Sequence, residues 1–241
     1  MVTGGSSGVG KATVKALISE GARVTAVARG ADRLRALEAE VGDGLQTLQG
    51  DAADPAVAEQ LLREIRPDLV VLAAGVTQRM GLLDELDWES FSETWNSDLK
   101  ASLHFVKQAL TLPLSPGSTM VLVSSGAAIT GSPISGGYAG AKRMQWLLAG
   151  YGQKVSDAKK LGIRMVAVLP KQLIEGTTIA ARAAAAYGAM NGITAEAYMK
   201  RFDVPLDASK VASAILTALR GGVPAGVNAI AVTGTGIEEL T

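Results

Sequence analysis

Short runs of aliphatic and β-branched residues alternate along the chain with longer stretches in which apolar positions recur every three or four residues. The short runs predict strands at Arg23–Ala28, Leu45–Gln49, Leu69–Ala73, Thr119–Ser124, Arg164–Leu169 and Asn228–Val232. Among the longer stretches, Val14, Leu17 and Ile18 share one face of a helix over Lys11–Glu20. Asp54 and Pro55 open another over Pro55–Ile65, the first as cap and the second as first helical residue. Phe91, Trp95, Leu99, Leu103 and Val106 form a stripe that predicts a helix from about Trp88 to Leu110, stopped by Leu112-Pro113. Strands alternating with helices make βαβ units. The expected fold is therefore α/β: one doubly wound domain over residues 1–241, its central parallel sheet covered by helices on both faces. No repeat or linker marks a second domain, and Ser115–Ser118 reads as a turn. One irregularity stands at the start, where a glycine-rich turn begins at Thr3 and leaves only Met1 and Val2 for the strand that should feed it. Either the strand is a stub or the sequence given begins late.

Composition narrows the function classes. Hydrophobic residues make up 48% of 241, enough to fill one core without staples. Lys plus Arg and Asp plus Glu both number 23, so no basic face for nucleic acid is expected. Cysteine is absent, which removes disulfides, thiolate metal sites and a cysteine nucleophile. The first residues lack the basic and apolar regions of a signal peptide, and the Ala-rich stretch Ile179–Ala189 is broken by Arg182 and Gly188. A soluble, cytoplasmic chain with no membrane segment is the expectation.

Two local patterns carry chemistry. Thr3-Gly4-Gly5-Ser6-Ser7-Gly8-Val9-Gly10 leads into a helix, which sets backbone N–H groups and a positive helix end where a phosphate can sit. The same residues nearly complete a nucleotide-triphosphatase loop at Gly10-Lys11, but Ala12 stands where such a loop needs Ser or Thr for magnesium. Farther on, Tyr138 and Lys142 lie four apart on one helix face, and a cation beside a phenol makes the tyrosine a usable acid or base. Ser125 lies 13 residues before Tyr138 (138 − 125), at the carboxyl end of a predicted strand, where open parallel sheets place ligands.

Taken in order, these residues resemble the classical short-chain dehydrogenase/reductase family over essentially the whole length. Thr3-Gly4 through Gly8 and Gly10 is similar to its TGxxxGxG turn, Tyr138 with Lys142 to its YxxxK motif, and Ser125 to its catalytic serine. The resemblance implies a Rossmann-type fold and hydride transfer between a nicotinamide and a small carbonyl or alcohol substrate, with no metal. Tyr138 would exchange the proton, Ser125 would orient the carbonyl, and Lys142 would hold the nicotinamide ribose. It further implies that Gly4, Ser6, Ser7, Gly8, Val9, Gly10, Asp51, Ala52, Ala73, Ala74, Gly75, Pro170 and Leu173 contact the cofactor together with Tyr138 and Lys142. Asp51 equally suits a local backbone cap. Arg29 follows the second strand where NAD-using folds carry an acid, so NADP(H) is expected over NAD(H); alternatively Arg29 is a solvated charge starting the next helix.

Several positions depart from the family. Leu72-Ala73-Ala74-Gly75 replaces its Asn-Asn-Ala-Gly, and Asp98 replaces a catalytic asparagine whose backbone carbonyl holds a relay water, a role Asp98 would keep. Pro170-Lys171 replaces Pro-Gly, and Glu175 takes the place of a threonine, with Thr177-Thr178 arriving two residues late. Residues 174–199, carrying Tyr187 and Met190, read as a variable substrate lid. The sole histidine, His104, is not expected to act. These departures leave open a second class, a non-catalytic dinucleotide-binding regulator or partner subunit. Apolar residues around both large helices, among them Trp146 and Tyr151, predict a homodimer or homotetramer through those helices.

Overall fold

The computed structural model describes residues 1–240. Eight strands form one sheet: β1 (Val2–Thr3), β2 (Val24–Ala28), β3 (Leu45–Gln49), β4 (Leu69–Leu72), β5 (Thr119–Val123), β6 (Arg164–Pro170), and, after a further small pair, β9 (Ala229–Thr233) and β10 (Gly236–Leu240). That pair, β7 (Ile174–Glu175) and β8 (Leu206–Asp207), stands apart. The main sheet runs β10-β9-β6-β5-β4-β1-β2-β3, parallel except for β10, which pairs antiparallel with β9. The sheet is therefore mostly parallel rather than wholly so. GIEEL in β10 is exposed along most of its length, and such a polar edge strand shows no buried-strand pattern in sequence.

Strand side chains alternate between two faces. Val71, Val121, Val166 and Val168 pack toward α1 (Gly8–Ser19), α2 (Ala31–Val41) and α10 (Ala208–Leu219) through Val14, Leu17, Leu37 and Ile215. Val70, Leu72, Met120, Leu122 and Met165 pack toward α3 (Pro55–Ile65), α5 (Lys100–Thr111) and α7 (Tyr138–Ala158) through Leu62, Phe105 and Leu148. Both sheet faces are buried, so the central strands read as continuous apolar runs.

Val2 and Thr3 form β1, pairing on one side with Ala26 and Val27 and on the other with Val71 and Leu72. The strand order reverses between β1 and β4, and the crevice beyond their carboxyl ends is where ligands enter such sheets.

The single helix expected over Trp88–Leu110 is divided. It runs as α4 (Trp88–Thr94), one π-helical turn over Trp95–Leu99, and then α5. The extra residue of the π turn rotates α5 about its axis and splits the apolar stripe: Val106 stays in the core and Leu99 packs against it, while others turn outward. Trp95 and Leu103 are exposed, while Asp98, Ala101, Ser102, Phe105 and Ala109 point inward. Short helices α6 (Ala127–Thr130) and α9 (Ala195–Met199) and the longer α8 (Thr178–Met190) complete the chain.

Candidate active site

The glycine-rich turn closes between β1 and α1, whose cap position is Ser7. Gly4 has φ +68°, and a Cβ on it would lie 2.7 Å from the Ala73 carbonyl oxygen; a Cβ on Gly10 would run into the Gly4 carbonyl oxygen. Only hydrogen fits at either place. The first turn of α1 contains no acidic residue, and its leading N–H groups lack helical partners, so the turn suits an anionic group. Lys11 is turned away from it and pairs with Glu40, as does Lys15. That arrangement takes from the triphosphatase reading its phosphate-gripping lysine.

A groove extends from this turn along Ser6, Arg29, Arg33, Asp51, Ala52, Ala74, Gly75 and Asp98. Among the described residues neither Arg29 nor Arg33 is in an ion pair, and both are exposed. Asp51 Oδ1 accepts from the Ala53 N–H at 2.9 Å, so the carboxylate caps its own turn while lining the groove. The donors and shape fit a dinucleotide: free N–H groups and no acid at the phosphate end, two unpaired guanidinium groups at the other.

The groove ends on a buried ion pair. Asp98 Oδ2 lies 2.9 Å from Lys142 Nζ, with 1% and 8% of their side chains exposed. Asp98 Oδ1 accepts from the Val76 N–H at 2.9 Å and from Ser97 Oγ at 3.0 Å. A Cβ on Gly75 would come within 2.8 Å of Asp98 Oδ2, which explains a glycine there. The Asp98 backbone carbonyl accepts from Ser102 Oγ at 2.9 Å and Gln145 Nε2 at 3.2 Å. Both lone pairs are thus engaged within the protein, and it is the carboxylate rather than the carbonyl that reaches toward Lys142. Burial disfavours the Lys142 charge, but Asp98 and the Tyr138 phenol outweigh it and hold the ammonium above its usual value of 10.5.

Lys142 Nζ also lies 5.6 Å from the centroid of the Tyr138 ring, one helical turn back on α7. Ser124 Oγ donates to the Lys142 carbonyl at 2.7 Å and fixes α7 to the end of β5. Next to it, Ser125 Oγ accepts from the Ala127 N–H at 3.2 Å and keeps its own proton for another partner. Tyr138 and Ser125 line a second cavity of about 400 Å³ with Gln78, Met80, Ser132 and Leu173. Pro170 and Leu173 lie here, not in the dinucleotide groove. Lys171 reaches the wall too, but is tied to Glu238 at 2.8 Å.

Residues 174–199 supply much of the opposite wall through Ile179, Ala183, Tyr187 and Tyr198. The rings of Tyr187 and Tyr198 stack at 5.5 Å, and the Tyr187 hydroxyl meets Ser132 Oγ at 2.5 Å. Burial pushes the Tyr187 phenol above its usual value. Met190 is 52% exposed and lines neither cavity. The late threonine nonetheless arrives: Thr177 caps α8, and its methyl lies 3.6 Å from where a Cβ on Gly8 would be. His104 lies on α5 away from both cavities, its imidazole held low by burial and by Lys100 and Lys107.

The structure thus brings Gly4, Ser6, Ser7, Arg29, Asp51, Ala52, Ala74, Gly75 and Asp98 to one groove, and Ser125 and Tyr138 to the adjoining cavity. Gly8, Val9 and Gly10 begin α1, and Ala73 packs against Gly4. Sequence reasoning missed Arg33, although it stands one helical turn after Arg29, and missed Gln78, Ser132 and Tyr198, which have no local signal.

A family model described as short chain dehydrogenase matches residues 1–200. Cis-2,3-dihydrobiphenyl-2,3-diol dehydrogenase of Paraburkholderia xenovorans (strain LB400) is 30% identical over 135 residues, covering 52% of this chain and 49% of that protein. Cis-1,2-dihydrobenzene-1,2-diol dehydrogenase of Pseudomonas putida is 34% identical over 135 residues with the same coverage, 52% and 49%. The matched stretch spans about half the length of these curated relatives. Among solved structures, levodione reductase superposes with a TM-score of 0.81 at 22% identity, covering 97% of this chain and 95% of that one. A 3-ketoacyl-(acyl-carrier-protein) reductase from Brucella melitensis, solved with NADH, gives 0.76 at 18% identity, covering 97% and 95%. At these identities the structures attest the fold. No helix among the described residues is long and apolar enough to cross a membrane.

Asp98→Asn leaves Lys142 as an unpaired buried charge and is expected to lower the unfolding free energy at pH 7 by about 3–5 kcal/mol. The folded pKa of Lys142 is raised, so the stabilisation is complete below its unfolded value of 10.5 and is lost as pH rises through the folded value. Urea unfolding of both proteins across pH 7–11 checks this; equal stabilities at pH 7 would show that the pair holds nothing together.

Proposed function

This chain belongs to the short-chain dehydrogenase family, and we propose that it is an NADP(H)-dependent oxidoreductase interconverting a neutral carbonyl compound and its alcohol, with Tyr138 as the proton-transferring group. One observation carries the reading: the Asp98–Lys142 pair lies where two cavities meet. Asp98 lines the groove that suits a dinucleotide, and Tyr138, within 5.6 Å of Lys142, lines the other together with Ser125. A binding module has no use for an acid–base set aligned at such a junction.

The nicotinamide cofactor, when bound, supplies or accepts the hydride. The residues of the chain do the rest. In reduction the Tyr138 hydroxyl gives its proton to the carbonyl oxygen; in oxidation it takes the proton of the alcohol. Ser125 donates a hydrogen bond to the same oxygen and stabilises the charge that gathers there. Lys142, kept charged by Asp98, presents a fixed positive charge to the phenol; it lines neither cavity itself, and its charge would support the cofactor ribose from behind Asp98. The glycine-rich turn and the N-terminus of α1 would hold the diphosphate, and Arg29 with Arg33 would support a 2′-phosphate, which is why NADP(H) is favoured.

Neutral substrates fit best, because no carboxylate lines the second cavity and its lysine is already paired with Glu238. The names of the curated relatives point to cyclic alcohols, and the stacked Tyr187 and Tyr198 rings offer a flat wall for a ring. Residues 174–199 act as the lid over this substrate. The chain further assembles as a symmetric homodimer or homotetramer through α5 and α7. Trp146 is half-buried under Arg143, so the apolar face left for a partner is made by Leu103, Tyr151 and Val155, which are 47%, 50% and 36% exposed.

Tyr138→Phe is expected to cut turnover by orders of magnitude on a panel of cyclic ketones while NADPH affinity, read by fluorescence titration, changes less than about twofold. Near-normal turnover would sink the mechanism. Arg29→Asp is expected to weaken NADPH binding by roughly 1.5–3 kcal/mol while sparing NADH; a wild-type preference for NADH in the same titration contradicts the cofactor assignment. Light scattering at micromolar concentration is expected to give a multiple of 24.7 kDa, reduced by Tyr151→Glu; a monomeric wild type refutes the assembly.

A further inference from the structure

The second cavity holds a buried polar group that proton transfer leaves unused. Gln78, in the loop after β4, is 5% exposed and lines the same cavity as Ser125 and Tyr138. Its Nε2 meets only the Met80 sulfur, at 3.7 Å, and its Oε1 has no partner. An amide oxygen left unpaired in a buried wall is costly, and a donor entering the cavity would relieve that cost, since none among the described residues does. Neighbouring polar groups are already satisfied: Tyr187 with Ser132, Lys171 with Glu238, and Gln172 Oε1 with the Gly234 N–H.

We propose that Gln78 is a specificity-determining residue whose Oε1 accepts a hydrogen bond from a second hydroxyl of the substrate, next to the reacting carbon, so that the site selects ring-sized hydroxyketones and diols over plain ketones and alcohols. This rests on the oxidoreductase reading above and names its substrate class. A hydroxyl is the donor that fits. The wall has no carboxylate for an ammonium group, and a cavity of about 400 Å³ faced by the stacked Tyr187 and Tyr198 accepts one small ring. A buried acceptor built for a hydroxyl also rejects the analogue that lacks it, since the deoxy compound leaves that acceptor unpaired.

The test uses the full chain with NADPH, and compares 2-hydroxycyclohexanone with cyclohexanone in the wild type, in Gln78→Met, which keeps the length and removes the acceptor, and in Gln78→Leu. The wild type is expected to favour the hydroxyketone by about tenfold or more in kcat/KM, chiefly through KM. In both variants that ratio is expected to fall to near one. A wild-type ratio near one, or a ratio unchanged in both variants whatever their absolute rates, overturns the proposal. A second readout separates recognition from reaction: thermal stabilisation by cis-1,2-cyclohexanediol against cyclohexanol, each with NADP present. Selective stabilisation that is lost in Gln78→Met, without turnover of either ketone, overturns the proposed reaction and supports the role of Gln78. Turnover without selectivity in either assay does the reverse.

Discussion

A carboxylate and an ammonium group, both taken out of water, cannot be left apart, and the pairing of Asp98 with Lys142 organises everything around it. Asp98 also accepts from Val76 and Ser97, while its carbonyl is held by Ser102 and Gln145. Five groups from the loop after β4, the π turn, α5 and α7 are thereby tied to one residue. Since Tyr138 stands one turn before Lys142, the same pair sets the phenol at the mouth of the second cavity. The small residue at Gly75 is a consequence, because a side chain there would collide with the carboxylate.

The π turn has two effects at once. It carries Asp98 inward to Lys142, and it rotates α5 so that Leu103 faces solvent. A turn of this kind lowers helical regularity and persists where something else holds it, here the ion pair and the hydrogen bonds to the Asp98 carbonyl. Site geometry and the apolar outer face therefore share one cause. The glycine-rich turn is held by a different constraint, steric rather than electrostatic: Gly4 and Gly10 nearly touch, and β1 before it is paired on both sides.

Residues 174–199 meet the rest of the cavity wall through side chains rather than through pairing with the main sheet. Their strand β7 pairs with β8, beyond the segment, in a small sheet that stands apart, and among their contacts across the cavity are the Tyr187–Ser132 bond and a bond from Arg182 to the Thr77 carbonyl at 3.5 Å. Within the segment, Gly176 and Gly192, at φ +75° and +68°, stand on either side of α8.

What the sequence determined by itself was local or strongly patterned. The central strands are legible because a strand buried on both faces is a continuous apolar run, and Pro55–Ile65 because Asp54 and Pro55 punctuate it. The glycine-rich turn and the Tyr138–Lys142 spacing are legible because each is a short-range geometric requirement. Tertiary structure alone decided the rest. The π turn depends on a charge 44 residues away (142 − 98), so the stripe of Trp88–Leu110 showed the helix but not its break, nor that Trp95 and Leu103 face outward while Val106 is buried. Strand β10 is too charged to announce itself, and exists because β9 pairs with it. The orphan oxygen of Gln78 shows no pattern along the chain, because burial and hydrogen-bond satisfaction are properties of the space a residue occupies and not of the residues beside it.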